Sequence, residues 1–177
     1  MKLEKPGRVI WITGLSAAGK TTVATHLVDL LGNKNNPVLL LDGDELRRIF
    51  PAAISPGDEF SRETRLNLAR SYSRLCQYLA SNGCTVVIAT ISMFQEVHQW
   101  NRTNLPGYFE VYLKVPLEER RRRDPKGLYA RYDAREISNV AGLDFDIDEP
   151  ESPELVFDFG KRATQAETIA DAIFAAL

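Results

Sequence analysis

The feature that most constrains this chain is a glycine-containing loop between an apolar stretch and a helical pattern. The loop, Gly14-x4-Gly19-Lys20-Thr21, follows the β-prone residues 8–13 and has the spacing of a phosphate-binding loop. Its glycines let successive backbone N–H groups turn toward a polyphosphate, and Lys20 adds a charge that reaches the β- and γ-phosphates. A helix that begins near Gly19 points its positive end at the same anion. The sequence therefore predicts one nucleoside triphosphate site.

The residues expected to contact this nucleotide follow one another along the chain. They are Gly14, Leu15, Ser16, Ala17, Ala18, Gly19, Lys20, Thr21 and Thr22. Within this set, the hydroxyl of Thr21 is placed to bind Mg²⁺. The alternative is a Gly/Ser turn that fits the pattern by chance. The helical spacing of Val23 and Leu27 directly after the loop argues against that alternative.

Length and composition exclude several classes of protein. The 177 residues fit one domain, residues 1–177, which is large enough to bury its own core. A net charge of −2 and a pI near 5.8 argue against a nucleic acid polymer or an anionic membrane as the main partner. Cys76 and Cys84 form neither a disulfide framework nor a zinc-site spacing, so reduced thiols in a cytoplasmic protein are expected.

Apolar runs alternate with helical patterns along the chain. Strands are predicted at residues 8–13, 38–41, 84–91, 109–115 and 155–159, with helical segments between them. This alternation is typical of an α/β protein of P-loop fold, with a mostly parallel sheet of about five strands and helices on both faces. Because residues 38–41 are continuously apolar, that strand is expected to be covered on both faces. Residues 124–153 are polar, weakly periodic and longer than most connections, which predicts a lid.

Two carboxylates, Asp42 and Asp44, follow the second predicted strand at its carboxyl end. Ligands bind at that edge of open α/β sheets, so these side chains are candidates to bind Mg²⁺ or to take a proton from a substrate. The alternative is a strand-to-helix turn in which Asp44 caps the next helix. The phosphate-binding loop beside them favours the catalytic interpretation. The arginine run at residues 120–123 precedes the predicted lid, so at least one of its members is expected to contact a phosphate or an adenine.

These segments, in this order, resemble the adenylylsulfate kinase family, which phosphorylates the ribose 3′-hydroxyl of adenosine 5′-phosphosulfate. The resemblance extends over residues 9–156, nearly the whole chain. The matching segments are the loop at residues 14–22, Leu41-Asp42-Gly43-Asp44 with Arg47, Phe60-Ser61 with Arg65, Ile91-Ser92, and Arg123-Asp124-Pro125-Lys126-Gly127-Leu128-Tyr129. The last string opens the family's lid and is far more specific than a phosphate-binding loop alone.

The resemblance implies an enzyme that uses ATP and Mg²⁺. Asp42 would lie near Mg²⁺ with Thr21, and Asp44 near the accepting hydroxyl, although either carboxylate could be the base. Arg123 and Lys126 would close over ATP. The family is commonly dimeric, so a homodimer that binds a small nucleotide substrate is expected. The residues implied for that substrate are Asp44, Arg47, Phe60, Arg65, Ile91, Ser92 and Arg131.

The departures from the family pattern lie mainly on the acceptor side. Met93-Phe94-Gln95 stands where Pro-Tyr-Arg or Pro-His-Arg is usual, and Val140 stands where a phenylalanine stacks on the substrate adenine. Phe60 or Phe94 is the nearest candidate to supply the missing ring. In the phosphate-binding loop, Ala17 replaces a usual glycine. The departures keep open a second acceptor, such as the cytidine diphosphoramidate used by a diverged branch of the family in surface-polysaccharide decoration.

A nucleotide-binding switch or regulatory domain is a third hypothesis, from a different functional class. The retained Lys20, Thr21, Asp42 and Asp44 argue against it, because these residue types serve phosphoryl transfer. A GTPase switch would also carry a guanine-reading Asn-Lys-x-Asp motif, and the sequence has none. We therefore expect an ATP-dependent kinase with adenosine 5′-phosphosulfate as the first-ranked acceptor.

Overall fold

The computed structural model describes residues 6–32, 37–50, 61–161 and 163–177. Strands and helices alternate through these ranges. The strands are β1 (Val9–Thr13), β2 (Val38–Asp42), β3 (Thr85–Thr90), β4 (Phe109–Lys114) and β5 (Leu155–Asp158). The helices are α1 (Lys20–Leu31), α2 (Gly43–Ile49), α3 (Arg62–Ser81), α4 (Gln95–Asn104), α5 (Leu117–Arg123), α6 (Leu128–Asp133) and α7 (Ala166–Ala176).

All five strands belong to one parallel sheet in the order β2-β3-β1-β4-β5. Strand β1 lies at the centre, where Thr13 pairs with Thr90 of β3 on one side and with Tyr112 of β4 on the other. The predicted α/β fold with a sheet of about five strands is confirmed. Within the described ranges, no helix combines the length and the apolar character needed to cross a membrane.

Two apolar cores form because alternate side chains of β1 point to opposite faces of the sheet. Ile10 and Ile12 pack against α1 and α7 on one face, where Leu27 and Ile173 are fully buried. Val9 and Trp11 point to the other face, and pack there with the buried residues of α3 and α4. Both layers hold β1 rigidly, so the loop that follows it starts from a fixed position.

The expectation that residues 38–41 are covered on both faces is wrong. Among the described residues they belong to β2, which lies at the edge of the sheet beside β3. Leu39 and Leu40 are 37% and 38% exposed. An apolar run is compatible with either a central or an edge strand, and the position in the sheet depends on crossovers that the run does not encode. The strand nevertheless ends at Asp42, as predicted.

A short helix, α6, lies in the segment predicted as a weakly periodic lid, and the sequence pattern did not predict it. Its first turn is held by Asp124, whose carboxylate accepts hydrogen bonds from the backbone N–H groups of Tyr129 and Ala130, both at 3.0 Å. Side-chain oxygens that accept such bonds are a common way to start a helix. Six residues are too few to show a helical period, which explains why the pattern was missed.

A buried carboxylate joins α4 to β4. Glu110 is 1% exposed, and it accepts hydrogen bonds from His98 Nδ1 at 2.6 Å, Tyr108 at 2.9 Å and Arg102 at 3.1 Å. Burial opposes ionisation of Glu110, but the hydrogen bonds from His98 and Tyr108 and the charge of Arg102 hold its pKa below the usual value. Arg102 also binds Glu154, just before β5. Through Glu154, this network holds the chain directly after the predicted lid segment, residues 124–153.

We expect Glu110→Gln to flatten the acid side of the pH–stability profile. The pKa of Glu110 is lowered by folding from its ordinary value of 4.5, so the unfolded chain binds more protons near that pH. Its contribution to stability is therefore complete above the unfolded pKa and is lost as the pH falls through the folded pKa. Urea unfolding followed by circular dichroism between pH 3 and 7 should show a lower stability at pH 7 and a shallower acid decline for the variant.

The matched control for this prediction is Glu118→Gln, because Glu118 lies exposed on α5. That substitution should leave both the stability and its pH dependence near those of the unmodified protein. An acid decline in Glu110→Gln as steep as in the unmodified protein would show that the buried carboxylate is not the group responsible.

Candidate active site

The carboxyl ends of β1, β2 and β3 open into a cavity of about 610 Å³. The structure brings most of the predicted site residues together around it. Those that line the cavity are Ser16, Ala17, Gly19, Lys20, Thr21, Thr22, Asp42, Asp44, Arg47, Arg65, Ile91, Ser92, Lys126 and Arg131. Gly14, Leu15, Ala18 and Arg123 are not part of its lining, and Phe60 lies outside the described residues. One cavity thus joins the predicted nucleotide loop to the predicted acceptor residues.

The phosphate-binding loop has a positive φ at three positions, Gly14, Ala17 and Gly19. Gly19, which directly precedes α1, has φ = 91°, and Ala17 has φ = 63°. Left-handed backbone is easy for glycine and strained for alanine, since the alanine Cβ meets the backbone. The positive φ at position 17 therefore explains why a glycine is usual there in the family that the sequence resembles.

Lys20 folds back across this loop. Its Nζ donates a hydrogen bond to the Leu15 carbonyl at 3.0 Å. Burial lowers the pKa of Lys20 to about 8, and the negative charges of Asp44 and Asp42 act in the opposite direction. A desolvated ammonium group next to exposed N–H donors gains from any bound anion that restores its counter-charge. This arrangement is suited to a polyphosphate.

The first carboxylate, Asp42, is already engaged at both oxygens. Its Oδ2 accepts a hydrogen bond from the Thr21 hydroxyl at 2.6 Å, and its Oδ1 accepts one from the backbone N–H of Asp44 at 2.8 Å. Asp42 is therefore the cap of α2, and the alternative in which Asp44 caps that helix is wrong. The cap falls on Asp42 because α2 begins directly after β2, at Gly43. The side chain of Asp44 instead forms an ion pair with Lys126.

The four arginines of residues 120–123 have different environments, although Arg122 and Arg123 both form ion pairs with Glu119. Arg120 is 5% exposed, and its guanidinium donates to the Val115 carbonyl at 3.0 Å and to the Tyr129 hydroxyl at 2.5 Å. Tyr129 in turn donates to the Ser16 carbonyl at 3.1 Å, which ties α6 to the phosphate-binding loop. Arg123 reaches the same loop, where it donates to the Ala17 carbonyl at 3.5 Å. A contact from this run to phosphate or adenine stays a prediction, with Arg123 nearest the loop.

The acceptor end of the cavity contains a ring that the sequence interpretation missed. Phe145 lines the cavity, and the guanidinium of Arg65 lies 4.8 Å from its ring centroid. Phe94, which the sequence offered as a stacking ring, is only 4% exposed. Val140 is also buried and lines the cavity as an aliphatic group. The only available signal for Phe145 was an aromatic residue within a polar segment.

Comparison with known proteins agrees with this geometry. The sequence profile of the adenylylsulphate kinase family matches residues 6–158. The chain belongs to that family. An adenylyl-sulfate kinase of Pseudomonas aeruginosa is 35% identical over 160 residues, which cover 89% of this chain and 79% of that protein. A cytidine diphosphoramidate kinase of Campylobacter jejuni is 38% identical over 144 residues, which cover 81% of this chain and 82% of that protein.

A solved structure shows the same relationship in three dimensions. The APS kinase of Mycobacterium tuberculosis in complex with AMPPNP and APS matches with a TM-score of 0.86 and 31% identity, over 97% of each chain. The resemblance noted in the sequence is therefore confirmed. The protein is an ATP-dependent kinase of the adenylylsulphate kinase family that acts on a small nucleotide.

We expect Ala17→Gly to stabilise the protein slightly. Removing the Cβ relieves a left-handed strain of about 1–2 kcal/mol, and the greater freedom of glycine in the unfolded chain offsets about 0.5–1 kcal/mol of that gain. The matched control is Ala18→Gly, because Ala18 is 1% exposed and is not among the residues with positive φ. Urea unfolding should show a small gain for the first variant and a loss for the second. Equal losses would contradict the proposed strain.

Proposed function

We propose that this kinase transfers the γ-phosphoryl group of MgATP to the 3′-hydroxyl of adenosine 5′-phosphosulfate. The observation that carries the proposal is the continuous series of charged groups along one cavity. Lys20, Asp42, Asp44, Arg47 and Arg65 all line it. A phosphate donor at the loop and an anionic nucleotide at the arginines would place the acceptor hydroxyl near the two carboxylates.

The residues beside the loop suit Mg²⁺. The Thr21 hydroxyl and the Asp42 carboxylate are hard oxygen ligands, and they lie 2.6 Å apart. Mg²⁺ in phosphoryl-transfer sites is usually held by one or two such protein ligands together with substrate phosphates. Bound there, Mg²⁺ would neutralise charge on the β- and γ-phosphates.

The hydrogen bonds of the two carboxylates favour different roles for them. Both oxygens of Asp42 accept hydrogen bonds from neighbouring groups, which orients this side chain as a metal ligand. Asp44 has an exposed carboxylate paired with Lys126, so it can accept a proton once that lysine turns to the phosphates. We therefore assign Asp44 as the base that receives the proton of the attacking hydroxyl. Asp42, Lys20 and the loop amides position the donor and neutralise its charge.

Residues 124–153 would act as a lid over this reaction. The segment reaches the donor side through Lys126 and the acceptor side through Asn139, whose carbonyl accepts a hydrogen bond from Arg65 at 2.5 Å. In both contacts the partner residue lines the cavity, so a bound nucleotide would compete for it. Closure of such a segment excludes water, which would otherwise take the phosphoryl group.

A second acceptor is favoured by one specific observation. Val140 presents no aromatic face to the cavity, and an aromatic face at this position is what the resemblance implies for adenine binding. A relative from Campylobacter jejuni with 38% identity is a cytidine diphosphoramidate kinase. An activated cytidine diphosphate is therefore the second candidate, with the same transfer chemistry and a different base.

We expect Asp44→Asn to lower kcat by at least about 10²-fold, the low end for a positioned general base. Because the proposed role of Asp44 is at the acceptor hydroxyl rather than at the donor, the Kd for MgATP should stay within about threefold. The paired variant Asp42→Asn should instead raise the Mg²⁺ concentration needed for half-maximal rate. Single-turnover kinetics with Mg²⁺ titrations separate the two effects. If Asp44→Asn turns over normally, Asp44 is not the base.

We expect the protein to phosphorylate adenosine 5′-phosphosulfate, and Val140→Phe to lower the KM for it. The added ring offers the adenine a stacking surface of about 1–3 kcal/mol. Val156→Phe is the matched control, since Val156 is 50% exposed on β5 and is not among the residues that line the cavity. The measurement compares kcat/KM for adenosine 5′-phosphosulfate and cytidine diphosphoramidate with both variants. If kcat/KM in the unmodified protein is higher for cytidine diphosphoramidate, that compound rather than adenosine 5′-phosphosulfate is the acceptor.

A further inference from the structure

Three aromatic rings line the cavity within the described ranges, and they differ in how much surface they present. Tyr72 and Phe94 are each 4% exposed. Tyr72 packs against Phe50, with ring centroids 6.1 Å apart. Phe145 is half-buried, so more of its surface is accessible than that of the other two rings, and it lines the cavity. It is the ring best placed to meet a bound molecule.

Phe145 contacts a second aromatic ring and a cation. Phe94 meets it edge-on, with ring centroids 6.4 Å apart and an interplanar angle of 88°. The guanidinium of Arg65 lies 4.8 Å from the Phe145 centroid, a cation–π distance. Arg65 is held in place by its hydrogen bond to the Asn139 carbonyl at 2.5 Å. An aromatic ring and a planar cation therefore lie next to each other, and both kinds of group stack readily on nucleobases.

The turn that carries Phe145 is closed by its own hydrogen bonds. The Asp144 carboxylate accepts from the backbone N–H groups of Asn139 at 2.9 Å and Val140 at 2.7 Å. The N–H of Gly142 donates to the Phe145 carbonyl at 2.9 Å. Gly142 has φ = 75°, and a Cβ there would lie 2.5 Å from a methyl group of Leu15. The turn therefore packs directly on the phosphate-binding loop, which sets the position of Phe145 relative to the donor.

We propose that Phe145, with the Arg65 guanidinium over its ring, is the platform that binds the nucleobase of the acceptor. It supplies the aromatic face that Val140 does not. The proposal rests on the proposed function, in that the acceptor is a nucleotide. It applies to an adenine or a cytosine, since stacking on a π-face tolerates either base.

The test measures base binding separately from catalysis. The ATP site is first saturated with AMPPNP and Mg²⁺, so that added nucleotides report on the acceptor site alone. Calorimetric titrations then compare AMP and CMP, which carry a base, with ribose 5-phosphate, which does not. Because AMPPNP does not transfer its phosphoryl group, the result does not depend on which acceptor is phosphorylated. A failure of the proposed function would appear instead as absent turnover with ATP and both activated nucleotides.

The variants are Phe145→Leu, which keeps apolar bulk, and Phe145→Tyr, which keeps the ring. Phe145→Leu should lower the affinity for AMP or CMP, whichever the unmodified protein binds more tightly, by about 5- to 100-fold. This is the range for loss of one stacking contact. Its affinity for ribose 5-phosphate should change less than about twofold, and Phe145→Tyr should restore nucleotide affinity to within about threefold.

Three results would overturn the proposal. The first is nucleotide affinity in Phe145→Leu within twofold of the unmodified protein. The second is an equal loss for ribose 5-phosphate, which would indicate a structural role of Phe145 in the turn. The third is no preference of the unmodified protein for AMP or CMP over ribose 5-phosphate. If Phe145→Leu does not fold, as judged by circular dichroism, Phe145→Met and Phe145→Tyr provide the same comparison.

Discussion

The parallel sheet is the constraint on which the rest of the structure depends. Because all five strands run the same way, their carboxyl ends meet at one edge and every following loop starts there. The phosphate-binding loop leaves central β1, whereas Asp42 ends edge strand β2, with β3 between them. The hydrogen bond of 2.6 Å from Thr21 to Asp42 spans that gap. It joins the nucleotide loop to the carboxylates, and the two halves of the cavity are built outward from it.

Features that depend on local chain geometry could be predicted from the sequence. The spacing of Gly14 and Gly19 predicts a loop in which the backbone turns, and Lys20 directly follows the second glycine. Alternating apolar runs and helical periods predict strands and helices in turn, so the parallel α/β fold was predictable. The placement of Asp42 at a strand end followed from the same periodicity. These residues form the donor half of the candidate site, and the cavity lining contains most of them.

Features set by contacts between distant segments could not be predicted in this way. Leu39 and Leu40 are half-exposed because β2 lies at the edge of the sheet, a position that depends on the crossovers between strands. The arginines at residues 120–123 look equivalent in sequence, yet Arg120 is buried beneath Tyr129. Phe145 lies 80 positions from Arg65 in the chain, and only the folded turn brings the two together. Each depends on which neighbours the fold supplies.

The two halves of the cavity bind their ligands by different means. This explains why the family's sequence pattern is kept in the donor half and altered in the acceptor half. In the proposed site, backbone N–H groups and Lys20 would hold the phosphates, so most of that half depends on the main chain rather than on exchangeable side chains. A nucleobase is held by side-chain surfaces, which can be exchanged on an unchanged backbone. Here an aliphatic Val140 and an aromatic Phe145 occupy one hydrogen-bonded turn that packs on Leu15. A different position of that turn can therefore carry the aromatic residue while the backbone of the phosphate-binding loop is unchanged. In this way the acceptor base can change while the transfer chemistry stays the same.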